Sequence, residues 1–203
     1  MRTVAALYID PRGPYPKMAA VDCWDEARDA SGYRGGCPVV AHPPCGGWGS
    51  LAHMRVPNRE RRTQDKALGP LAVAAVRRNG GVLEQPARSR LWSHCGLPRP
   101  GEGHDEFGGY SIEVAQVSWG HVARKLTWLY LVGVTGSVMR AGLRRGGTPT
   151  HWVSGGRNPN RKGSGGLVPT GIKVCSAQQR RRTPPAFAEW LVSLARSVQK
   201  GTP

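Results

Sequence analysis

The sequence predicts an α/β domain with a mostly parallel, Rossmann-like sheet, carrying a basic flexible insertion and a C-terminal helix. Three observations predict it. Apolar runs of strand length alternate with stretches of helical spacing. The run at 126–134, LTWLYLVGV, has so little polar interruption that both its faces should be buried, as in parallel-sheet strands. Residues 137–183 then turn to Gly, Arg, Pro, Ser and Thr without an apolar period.

Taken in order, residues 3–9 (TVAALYI) predict a buried first strand ending at Asp10, and the turn-rich PRGPYPK follows it. Residues 22–30 (DCWDEARDA) predict a short helix capped by Asp22. Residues 38–41 (PVVA) predict a strand that runs into HPPCGGWG. Residues 65–78 predict a helix kinked at Pro70 and stopped by Gly80 and Gly81. GVLEQP, at 81–86, predicts a strand broken by Pro86, and 111–117 predicts another. Beyond the insertion, Thr183 and two prolines start a last helix. Phe187, Trp190, Leu191 and Leu194 share one of its faces, so it should pack back on the domain.

Composition narrows the class. A chain of 203 residues can bury one substantial core, and its 39% hydrophobic residues come in runs, which excludes a disordered chain. No run reaches the roughly 18 apolar residues of a membrane span. The opening MRTVAALYIDPRG meets Asp10 and Pro11 before a signal-peptide core is complete, so a cytoplasmic protein is expected. The cysteines Cys23, Cys37, Cys45, Cys95 and Cys175 form no CxxC pair, which argues against a disulfide framework. The net charge is +16, and residues 137–203 hold twelve Lys and Arg against one acid, Glu189. Such a block predicts a polyanionic partner, nucleic acid, with Arg157, Arg161, Lys162, Arg180, Arg181 and Arg182 as contacts. The expected organisation is a Rossmann-like domain with the chemistry at 1–136, a basic DNA-contacting loop at 137–183 and a packed helix at 184–203.

Three segments at predicted strand ends carry candidate chemistry, because ligands of open α/β sheets bind at the carboxyl edge of the strands. In VVAHPPCGGWG, Pro43 and Pro44 fix the backbone before Cys45 and two glycines free it afterwards. A thiol held this way is a candidate nucleophile, and His42 is close enough in sequence to bias its protonation. In GGVLEQP, a carboxylate at Glu84 is costly to bury unless it is used or paired, and Gln85 and Pro86 flank it as candidate substrate contacts. In WGHVARKLTWLYLVG, Arg124 and Lys125 precede an apolar strand, where two cations suit a phosphate or a polarised carbonyl. Each segment has a bland alternative: a small buried cysteine, a paired surface carboxylate, ordinary flanking charges.

The order of the three segments resembles that of the cytosine-C5 DNA methyltransferases. Pro43-Pro44-Cys45 is similar to the family's nucleophile segment, and Glu84-Gln85-Pro86 to the segment whose glutamate contacts the base. His121 to Lys125, leading into Leu131-Val132-Gly133, is similar to its arginine segment and following strand. The likeness covers about residues 38–133 and extends to a bacteriophage group with a His-Pro-Pro-Cys segment, which implies a bacterial host cytoplasm. It implies a methyltransferase-like sheet, Cys45 adding to C6 of a pyrimidine, Glu84 stabilising the protonated ring and Arg124 in support. A duplex base would first be flipped out. DNA, duplex with a flipped base or single-stranded, is the expected partner, with no membrane and no obligate protein partner.

The resemblance also implies S-adenosylmethionine, with Asp10 and Asp22 as candidate contacts. The family's glycine loop is missing, however: LYIDPRGPYPK offers Gly13 alone, beside bulky Arg12, Pro14 and Tyr15. An enzyme that elaborates a 5-hydroxymethyl pyrimidine without that cofactor is therefore a second expectation, and a non-catalytic nucleic-acid binder a third. No metal is expected. A zinc site drawn from Cys37, His42, Cys45, His94 and Cys95 has irregular spacing, and Trp48 stands where a deaminase would need cysteine.

Overall fold

The computed structural model describes residues 1–49, 59–153 and 173–199. Eight strands and five α-helices follow one another: β1 (Val4–Leu7), β2 (Val21–Trp24), β3 (Val39–Ala41), α1 (Arg59–Asn79), β4 (Gly81–Pro86), α2 (Leu91–His94), β5 (Tyr110–Ala115), β6 (Leu126–Val132), α3 (Gly136–Ala141), β7 (His151–Trp152), β8 (Lys173–Val174), α4 (Ala177–Arg181) and α5 (Pro185–Arg196) among the described residues. Short 3₁₀ turns lie at Tyr15–Lys17, Ala30–Gly32 and Gln116–Trp119.

Six strands form one sheet in the order β2-β1-β3-β4-β6-β5. β1 to β4 are mutually parallel, and β6 runs antiparallel between β4 and β5. This mixed, mostly parallel sheet is compatible with a Rossmann-like fold. The apolar alternation decides its two faces, since successive side chains of a strand point to opposite sides. Val4, Ala6, Val40, Val82, Leu129 and Leu131 face one cluster, which α5 covers with Phe187, Leu191 and Leu194. Ala5, Leu7, Val39, Ala41, Leu83 and Tyr130 face the other, which α1 covers with Ala72, Val73 and Val76. α1 runs through Pro70 over its whole length. Gly81 is required where β3 and β4 meet: its φ is +128°, and a Cβ there would stand 1.9 Å from the Val39 carbonyl oxygen.

Two local expectations fail. Residues 22–30 are not a helix: Val21–Trp24 is an edge strand paired in register with Val4–Leu7. The charged residues gave the segment a helical look, but Val21 and Cys23 lean on one core cluster and Trp24 on the other, which is a strand's alternation. Pro86 does not break β4 either. It is the strand's last residue, opposite Thr127, where its missing N–H costs little. Within 137–183, the described residues include α3, the two-stranded β7–β8 sheet and α4. No helix among the described residues is long and apolar enough to cross a membrane.

Candidate active site

β2 lies on one side of β1 and β3 on the other, so the sheet has its topological switch between β1 and β3. Loops leaving the carboxyl ends of such strands diverge and open a crevice. The register pairs Ala41 with Leu83, which brings His42, just past β3, level with Glu84 in β4. Glu84 is 9% exposed. Its Oε2 lies 3.1 Å from His42 Nδ1, and its Oε1 accepts a 3.0 Å hydrogen bond from Gln116 Nε2. On the far side of the imidazole, the Tyr15 hydroxyl lies 2.6 Å from His42 Nε2. Gln116 Nε2 also donates to Thr127 Oγ1 at 2.9 Å, so five side chains from five segments form one row.

The protons in this row can be placed. Burial would push the Glu84 carboxyl up, but the His42 hydrogen bond, the Lys125 charge and Gln116 outweigh it and hold it below the usual carboxylate range. An ionised carboxylate only accepts, so Nδ1 carries the imidazole proton. Burial, then the Glu84 charge, pushes the Tyr15 phenol well up, so its hydroxyl stays protonated and donates to Nε2. His42 is therefore a brace between Tyr15 and Glu84, with both ring nitrogens engaged.

Cys45 follows in the loop after β3 and is exposed. Its loop is pinned from both ends. Gln85, 1% exposed, donates its Nε2 to the Pro43 carbonyl, and Trp48 and Gly49 donate their backbone N–H groups to the Cys45 carbonyl at 3.0 and 2.9 Å. The surrounding protein, and then the Glu84 charge, push the thiol up; Lys125 and Arg181 pull it down without cancelling that. The resting group is a thiol, and its reactivity depends on the balance between Glu84 and these two cations.

Lys125 sits at φ +30°, a backbone conformation rare for a side chain this size, with Nζ 3.4 Å from the Arg182 carbonyl. Its charge reaches both Glu84 and Cys45, whereas Arg124 beside it is exposed. Of the remaining expected residues, Pro44 is half-buried beside Cys45, and Gln85 points into the Pro43 loop rather than to the crevice. Asp10 is exposed and held below the usual range by Arg12, which gives it a backbone hydrogen bond at 2.9 Å and an ion pair at 3.2 Å. Asp22 accepts Trp24 Nε1 at 2.8 Å and pairs with Arg28. Arg180 and Arg181 end α4 and Arg182 follows it, while Arg157, Arg161 and Lys162 lie outside the described residues. Among the described residues no three metal-ligating side chains come together.

Tyr15, Gln116 and Thr127 were not read from the sequence as site residues. Tyr15 stood in a proline-rich turn and looked like an obstruction; its signal was an aromatic with a hydroxyl placed just past a strand end. Comparison with family models, with curated proteins and with solved structures finds no match to this chain.

Proposed function

We propose that this chain modifies a pyrimidine base of DNA at C5, with Cys45 as nucleophile. The observation that carries the reading is that Cys45, Glu84 and Lys125, from three distant segments, lie within electrostatic reach of one another at the carboxyl edge of β3 and β4. The pinned Pro43–Gly49 loop supports it, since a nucleophile must be presented in one geometry. In the proposed step the thiol gives up its proton to solvent, Sγ bonds to C6, and the C5–C6 π pair moves onto C5, shared through C4 with N3 in a cytosine or with the C4 oxygen in a uracil-type ring. Lys125 and Arg181 offset the negative charge at sulfur and ring. C5 then bonds to an electrophile, and loss of a proton from C5 with expulsion of Sγ restores the ring. Glu84, fixed by His42 and Gln116, is the acceptor for a ring or exocyclic N–H of the base.

The residues after β1 do not fit S-adenosylmethionine in the manner the resemblance implies. Tyr15 is buried and bonded to His42, Asp10 is taken by Arg12, and a Cβ at Gly13 would stand 2.9 Å from the Asp10 carbonyl oxygen. This favours the second reading, in which the substrate is a pyrimidine already bearing a hydroxymethyl group at C5. There the same addition at C6 expels the protonated hydroxyl as water, a nucleophile supplied by a second substrate adds to the exocyclic methylene that forms, and release of Sγ from C6 restores the ring.

Nucleoside mass spectrometry tests both. DNA with ordinary pyrimidines and DNA with 5-hydroxymethyl pyrimidines are each digested after exposure to wild type or Cys45→Ser protein. A new nucleoside mass made only by wild type is expected. An identical nucleoside profile for the two proteins on both DNAs refutes base modification by Cys45.

A further inference from the structure

The segment 121–125 that delivers Lys125 to the site also holds a second, exposed unit. Thr150 and His151 donate their backbone N–H groups to the Val122 carbonyl at 2.9 Å each, and Ala123 bridges to His151. β7 pairs in parallel with β8, with Trp152 opposite Val174. α4 is tied to the same unit. Its Gln179 carbonyl lies 3.0 Å from His121 Nε2, its Gln179 Nε2 lies 3.5 Å from His151 Nε2, and the Arg182 carbonyl receives Lys125 Nζ. The ribbon, the helix end and the nucleophile's neighbouring cation are therefore one connected structure.

The chemistry of its surface is specific. Residues 120–153 and 173–188 carry nine Lys and Arg and no Asp or Glu. Along these acid-free segments four large apolar side chains are exposed: Trp152 at 40%, Val174 at 52%, Val138 at 40% and Leu126 at 38%. Trp152 and Val174 are register partners and share a face of the ribbon. A flat indole on a ribbon tied to α4 and the arginines at its end suits a strand of unpaired bases, which present stackable π faces beside a row of phosphates. A duplex keeps its base faces stacked inside and cannot use the indole this way.

We infer that Trp152 on the β7–β8 ribbon is a stacking platform for an unpaired base of single-stranded nucleic acid, whose backbone runs along Arg124, Lys125 and Arg180–Arg182 past Cys45. This names the substrate form of the site proposed above and rests on that reading.

The test uses Cys45→Ser protein, which cannot form the covalent bond, and a fluorescein-labelled oligothymidylate of about 12 nucleotides, with binding followed by anisotropy. Adding Trp152→Ala should weaken binding by about 5- to 100-fold, the range set by losing one stacked base. Trp152→Phe should restore most of it, because a phenyl ring also stacks. Affinity for a duplex of equal length should change much less. Far-UV circular dichroism of each variant reports whether the sheet is intact. No binding of the oligothymidylate by the parent, an unchanged affinity in Trp152→Ala, or an equal loss on the duplex overturns the inference. Its outcome is separable from base modification: a negative nucleoside result with Trp152-dependent binding removes the chemistry and keeps the platform.

Discussion

Tyr15→Phe removes one oxygen atom and tests the row of side chains behind Glu84. Tyr15 is 2% exposed, and its hydroxyl gives His42 Nε2 a 2.6 Å hydrogen bond. The imidazole side chain is itself only 12% exposed, so the orphaned Nε2 has little access to water. Losing a buried hydrogen bond while leaving its acceptor unpaired costs about 1–3 kcal/mol. For a domain of this size each kcal/mol moves the melting midpoint by about 2–4 °C, so a fall of about 2–12 °C is expected. Differential scanning calorimetry measures it. The same substitution made in a His42→Leu background should cost much less, since the acceptor is already gone, with a difference of at least about 0.5 kcal/mol. A melting midpoint within about 1 °C of wild type, or equal costs in the two backgrounds, would refute the claim that Tyr15 pins His42.

The balance at Cys45 gives a second expectation: Lys125→Met should slow alkylation of this thiol by iodoacetamide at mildly alkaline pH, and Glu84→Gln should speed it, as read by peptide mass mapping. The reverse order would show that these charges do not govern the thiol. Acid stability gives a third. Glu84 and Asp105 both have folded values below their unfolded ones, so their stabilisation is present above about pH 4–5 and is lost as pH falls through the folded values. Urea midpoints should therefore drop between about pH 5 and 3, and Glu84→Gln should flatten that drop. Gly81→Ala should leave no soluble folded protein, because its Cβ would overlap the Val39 carbonyl at a φ that alanine avoids; a normal circular dichroism spectrum would contradict this.

The sheet was legible where strands are buried on both faces. TVAALYI, PVVA, GVLEQP and LTWLYLVGV each read as strand because no polar residue interrupts them for long. β2 was not, because an edge strand of four residues with Asp22 in it offers too short an alternation to outweigh the charged residues after it. Cys45 was legible as a residue just past a strand end with unusual flanks, whereas Glu84, expected at a strand end, lies inside β4 opposite Leu129. The role of His42 was not, since its partners lie 27 and 42 positions away, and only the register of β3 against β4 brings them together. Arg124 and Lys125 could not be told apart in the sequence. The structure separates them: Lys125, at a φ of +30°, is the one whose charge acts on Glu84 and Cys45, while Arg124 is exposed.

The covering of the sheet by α5 sets an order of events during biosynthesis. Val4, Ala6, Val40, Val82, Leu129 and Leu131 belong to strands translated well before Pro185–Arg196, the helix that shields them. Arg196 also holds the first strand's approach through the Arg2 carbonyl, across 194 positions. Until the ribosome has released this helix, the nascent sheet presents a bare apolar flank, a natural landing place for a holdase chaperone and a nucleus for aggregation when translation stalls.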